Sequence, residues 1–146
     1  MLCCRSTCQY SPEMLEQTEV MIEANKLVSK DALIERFVDL PDLLARVEDD
    51  RELLAELFAM FQKEVPVLQA ALHDAINSGD LPQTATVAHT LKGMLANMSM
   101  KQGAFLAASI EAAARSGNES AIKVTLVAFE SEIAAVSTAV DAFVAG

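Results

Sequence analysis

Val87-Ala88-His89-Thr90-Leu91-Lys92-Gly93-Met94-Leu95-Ala96-Asn97-Met98, residues 87–98, reads as the middle of an amphipathic helix. With successive residues set about 100° apart and His89 at the origin, Val87, Leu91, Met94, Leu95 and Met98 gather on the opposite side. That stripe must face a core. Around His89 stand Ala85, Thr86, Gly93 and Ala96, with Lys92 the one long side chain nearby. A solvent-facing helix surface ordinarily carries Glu, Lys, Gln and Arg. Here it is paved with small residues, and Gly93 costs about 1 kcal/mol against alanine in a helix interior. The pattern predicts an imidazole standing on a flat platform against which another protein surface can press.

Outward from this stretch, the same logic predicts three more long helices. Asp80-Leu81-Pro82-Gln83 starts the His89 helix with capping-box spacing, just after the stop signal Asn77-Ser78-Gly79. The run before it places Leu53, Leu54, Leu57, Phe58, Phe61, Val65, Leu68, Leu72 and Ile76 at helical period. Asp49 and Glu52 are spaced as its capping box, and Pro66 predicts a kink near residues 62–66. Downstream, Ser99 reads as the cap of an alanine-rich helix ending near Arg115. Ser116-Gly117-Asn118 makes a turn, and a last helix runs from Glu119 to about Val144. Short connections make antiparallel neighbours, so the expected fold is all-α: an up-and-down four-helix bundle over residues 41–146. Before it, residues 12–40 read as an N-terminal helical extension, with a helix opened by Ser11-Pro12-Glu13 and a short one over 32–38. That extension is a candidate for self-association. Residues 1–11, which hold Cys3, Cys4 and Cys8, read as a disordered tail.

Composition narrows the function. Apolar residues make up 52% of the 146 and aromatics only 5%, which suits close-packed helices in one domain. The net charge of −10, from 21 acidic against 11 basic residues, comes without a concentrated cationic patch, so nucleic acid is excluded as a partner. No apolar run approaches the roughly 18 residues of a membrane span, and the start is not a secretory signal, so a cytoplasmic protein is expected. The chain has neither a phosphate-cradling glycine loop nor a His-Glu-x-x-His metal pair. Its only histidines are His73, read as a surface residue, and His89. An exposed imidazole, with a reference pKa near 6.5, is largely neutral and nucleophilic at neutral pH. Lys92, one turn on, can steady negative charge arriving there, and Arg115 is a candidate second cation if its helix packs alongside.

The segment His89-Thr90-Leu91-Lys92-Gly93 followed by Ala96-Asn97 resembles the signature of histidine-containing phosphotransfer domains. The likeness extends over residues 40–144 and includes Ile110-Glu111-Ala112-Ala113 and Arg115-Ser116-Gly117. That family often has glycine at the position of Ser99 and small residues at those of Met94 and Leu95. The resemblance implies a phosphocarrier rather than an enzyme. His89 would take a phosphoryl group from the aspartate of one receiver domain and pass it to another. Lys92 would assist, and Gly93 would give the receiver room. The partners implied are receiver domains of response regulators or hybrid histidine kinases, which would supply Mg²⁺. No metal or other cofactor is expected on the chain itself. The alternative is a helical adaptor in which His89 is not phosphorylated.

Overall fold

The computed structural model describes residues 30–145; the expected helix over residues 11–28 and the three cysteines lie outside them. Six helices follow in order: α1 (Lys30–Ile34), α2 (Leu40–Arg46), α3 (Arg51–Asn77), α4 (Leu81–Asn97), α5 (Lys101–Arg115) and α6 (Glu119–Ala145). The four long ones form the expected antiparallel bundle. Each packs on the next, and α3 returns against α6 to close the ring. Leu54, Phe58, Phe61, Leu91, Leu95, Ile110, Phe129 and Val136 fill the centre at no more than 1% exposure.

Helix lengths explain why the N-terminal segment matters. At 1.5 Å per residue, the 27 residues of α3 and of α6 span about 40 Å, against about 25 Å for the 17 of α4 and about 22 Å for the 15 of α5. The long pair therefore outruns the short pair. Beneath the α4–α5 turn, α1 packs on α6 and α2 on α3, burying Ile34, Val38, Leu40, Leu43 and Val47 in the same core cluster as the bundle. A boundary between residues 40 and 41 thus does not coincide with an edge of the core. Pro41 sits in the first turn of α2, where its missing N–H is no loss.

Two caps differ from the sequence reading. Asp50, not Asp49, caps α3: its Oδ1 accepts from the N–H groups of Glu52 (3.0 Å) and Leu53 (3.1 Å), while Asp49 turns the chain at φ 61°. Ser99 does not cap α5. It lies at φ 57°, where glycine is favoured, and its hydroxyl donates to Asp42 Oδ2 at 2.6 Å. With the Ser99 carbonyl accepting from the Asp39 N–H and Lys101 paired to Asp39, the α4–α5 turn is tied to the start of α2. Asp80 caps α4 as expected, accepting from the Gln83 N–H at 3.1 Å. Helix α3 runs unbroken through Pro66, which lies on its exposed side. His73 is half-buried and meets Glu130 of α6, so it joins two helices rather than standing free on the surface.

Helices α4 and α5 approach closely because Gly103, Ala107 and Ala114 present almost no bulk. A Cβ built on Gly103 would sit 3.3 Å from Leu95 Cδ1 and 3.8 Å from Ile133 Cδ1. Gly103→Leu is therefore expected to lower the unfolding free energy by about 1–3 kcal/mol in urea titration. Gly93 is the contrast, since a Cβ there meets nothing within 4 Å. Gly93→Ala should leave stability unchanged or raise it by up to about 1 kcal/mol.

Candidate functional site

Helix α4 turns Val87, Ala88, Leu91 and Leu95 into the core, which leaves His89 on the outer side with 61% of its side chain exposed. One carboxylate organises everything around it. Glu111 of α5 is buried, and its Oε2 lies 3.0 Å from His89 Nδ1 and 2.7 Å from Arg115 Nη2; its Oε1 lies 2.9 Å from Lys92 Nζ. The platform histidine and the two expected cations are thus brought together by a residue that the sequence reading gave no role. A signal did exist: a lone acid in an alanine-rich helix, four residues before an arginine, is spaced for an ion pair on one helix face.

The hub sets the chemistry. An ionised carboxylate can only accept, so the bond to Nδ1 requires the proton of a neutral imidazole to be there. The lone pair then resides on Nε2, across the ring from Glu111. With neutral His89, the charges of Lys92, Arg115 and Glu111 leave the cluster one unit positive. That excess favours an arriving phosphoryl group over a neutral one.

The platform is partly as expected. Thr86, Gly93 and Ala96 are exposed, and the hydroxyls of Thr86 and Thr90 donate to the carbonyls of Pro82 and Thr86. Ala85 is a correction: it is 8% exposed and belongs to the core cluster. It falls on the same row of α4 as His89, four residues away, but the end of α5 closes over it. With Leu81, Pro82, Ala114, Arg115 and Ser116 it lines an open groove of about 470 Å³. Met94 is only partly buried against the core, while Leu95 is fully inside. Among the described residues no group of His, Cys, Asp and Glu is arranged to hold a metal ion, and no helix is long and apolar enough to cross a membrane.

The family model for the Hpt domain matches residues 56–141, more than half the chain, with every residue of the cluster inside the match. No curated protein and no solved structure matches the chain significantly.

Glu111 is held well below the ordinary carboxylate range, at about 2. The largest cause is the hydrogen bond from Lys92; burial opposes it, and the bonds from Arg115 and His89 add to it. Because the folded value lies below the reference value of 4.5, the ionised carboxylate stabilises the fold fully above about pH 4.5. That contribution is lost as pH falls towards 2. Between about pH 7 and pH 3 the wild type should lose on the order of 2 kcal/mol more unfolding free energy than Glu111→Gln. Urea titrations of both proteins at the two pH values check this.

Proposed function

The chain belongs to the Hpt domain family, whose members carry phosphoryl groups in two-component relays, and on that premise we propose that His89 is its phosphoacceptor. The observation that carries the reading is the Nδ1 bond to Glu111, which leaves Nε2 as the nucleophilic and accessible nitrogen. In the forward step the Nε2 lone pair attacks the phosphorus of a receiver's aspartyl phosphate. The N–P bond forms as the acyl P–O bond breaks, and the aspartate carboxylate leaves. In the onward step a second receiver's aspartate attacks the same phosphorus, and Nε2 leaves with its lone pair. The receiver contributes the acyl phosphate and the Mg²⁺ that neutralises it.

The chain's own residues position and offset charge. Glu111 holds the imidazole plane and its proton through both steps. Lys92 and Arg115, both bonded to Glu111 beside the ring, offset part of the negative charge that a phosphoryl group brings to His89. Exposed Gly93 and Ala96 let the receiver surface close on α4, and room at Gly93 outweighs the helix stability lost there. The chain acts as a carrier in the cytoplasm, between receiver domains of response regulators or hybrid kinases.

Incubation with a phosphorylated receiver domain tests the assignment. Label should pass to the wild type as an acid-labile, base-stable phosphate and should not pass to His89→Gln. Lys92→Ala should slow single-turnover transfer by roughly tenfold, the equivalent of about 1.4 kcal/mol. Added salt should narrow that gap, because half-exposed Lys92 acts through a screened interaction. Label on His73 in the His89→Gln protein would move the site. A folded wild type that takes no label from any receiver of its host would point to an adaptor.

A further inference from the structure

We propose that the groove at the top of the α4–α5 furrow, lined by Leu81, Pro82, Ala85, Ala114, Arg115 and Ser116, seats an apolar side chain of the receiver domain that exchanges phosphoryl groups with His89. The inference rests on the phosphotransfer reading and adds a recognition element to it.

Groove and acceptor are successive parts of one furrow. Leu81, Ala85 and His89 are spaced by four residues along α4, and Glu111 and Arg115 by four along α5, so each set forms a single row. At 1.5 Å per residue, Ala85 lies about 6 Å and Leu81 about 12 Å along the axis from His89. Arg115 belongs to both, bonding Glu111 at the site and lining the groove. A specific interface covers about 800 Å² on each partner, a disc of radius about 16 Å. A footprint of that size centred near His89 covers the groove as well.

The lining decides what the covering surface must put there. Pro82 has no N–H, and the Ser116 hydroxyl is already donated to the Ala113 carbonyl at 3.1 Å. Arg115, at the end of the groove nearer His89, directs one guanidinium nitrogen to Glu111. Leu81, Ala85 and Ala114 offer only carbon. A polar side chain entering this space would lose water and find few partners, whereas an apolar one fills it at no such cost. At about 470 Å³ the groove has room for a large side chain, and its apolar walls make that contact selective among receivers that share the same aspartate chemistry.

The test uses two exposed rim positions, so that folding is preserved: Ser116→Phe, which occupies the groove, and Pro82→Glu, which places a charge on its edge in the first turn of α4, where an acid is compatible with the helix. Single-turnover transfer is measured over a range of concentrations of a phosphorylated receiver that labels the wild type. In parallel, His89 is labelled by phosphoramidate, a small donor that needs no docking. Both variants should require at least about fivefold more receiver for half-maximal rate. Their phosphoramidate labelling should stay within about twofold of wild type. An unchanged or lower half-saturating concentration in the folded variants overturns the proposal while leaving the phosphoacceptor assignment intact. The proposal is equally overturned if the variants only dissociate a wild-type dimer with transfer unaltered, since the groove would then seat a second copy of this chain. Failure of wild-type His89 to take phosphoryl from either donor overturns the phosphotransfer reading and this proposal with it.

Discussion

A single buried carboxylate, Glu111, holds the functional face of this protein together. Taking an ionised carboxylate out of water is costly, and the cost is offset only when its oxygens are well bonded. Here three groups from two helices do so: Lys92 and His89 from α4, and Arg115 from its own helix. All three partners are more exposed than the carboxylate they serve. The arrangement therefore acts less as a source of stability than as a clamp that fixes the orientation of an imidazole at the protein surface. A histidine on a bare helix would rotate about two side-chain bonds. Bonded at Nδ1, it presents one nitrogen in one direction.

That clamp exists only because α4 and α5 lie close enough for Glu111 to reach across. Small residues on α5 permit the approach, with Gly103 fitted against Leu95 near one end and Ala114 beside Ala85 near the other. Bulk is moved to the long pair, where Phe58 and Phe143 meet edge to face at 5.1 Å across α3 and α6. The two helices that bear the Glu111 cluster are the short ones. Their lower turn is braced by residues N-terminal to the bundle, through Asp39, Asp42 and the left-handed Ser99. The segment read as an appendage is thus part of what steadies the site helices.

The outer face of α4 gives up stability at Gly93, which the proposed function reads as a concession to access. Gly93 sits in open space and could carry a side chain with no steric penalty from its surroundings. A helix optimised for stability would hold alanine or a long polar residue there. Local rules broken without a packing reason mark functional surfaces, and the break here falls one turn from His89.

Much of this was legible in the chain itself, because helix formation depends on local pattern. Apolar spacing, the Asp80 cap and the turns at Gly79 and Gly117 fix four long antiparallel helices, and the same wheel puts His89 outside with Lys92 beside it. Cap positions were less secure: Asp49 and Asp50, or Ser99 and Met100, differ by one residue and by a backbone angle that sequence spacing does not carry. What only the tertiary structure decided is what one helix does to another. A wheel drawn for α4 alone places Ala85 on the open platform, but the end of α5 covers it and turns it into the floor of a groove. The same wheel gives His89 no partner, because Glu111 lies 22 positions away. Side-chain period is a property of one helix. The rotation and separation at which two helices meet come from the packing of the whole core, and that packing brought the carboxylate to the histidine.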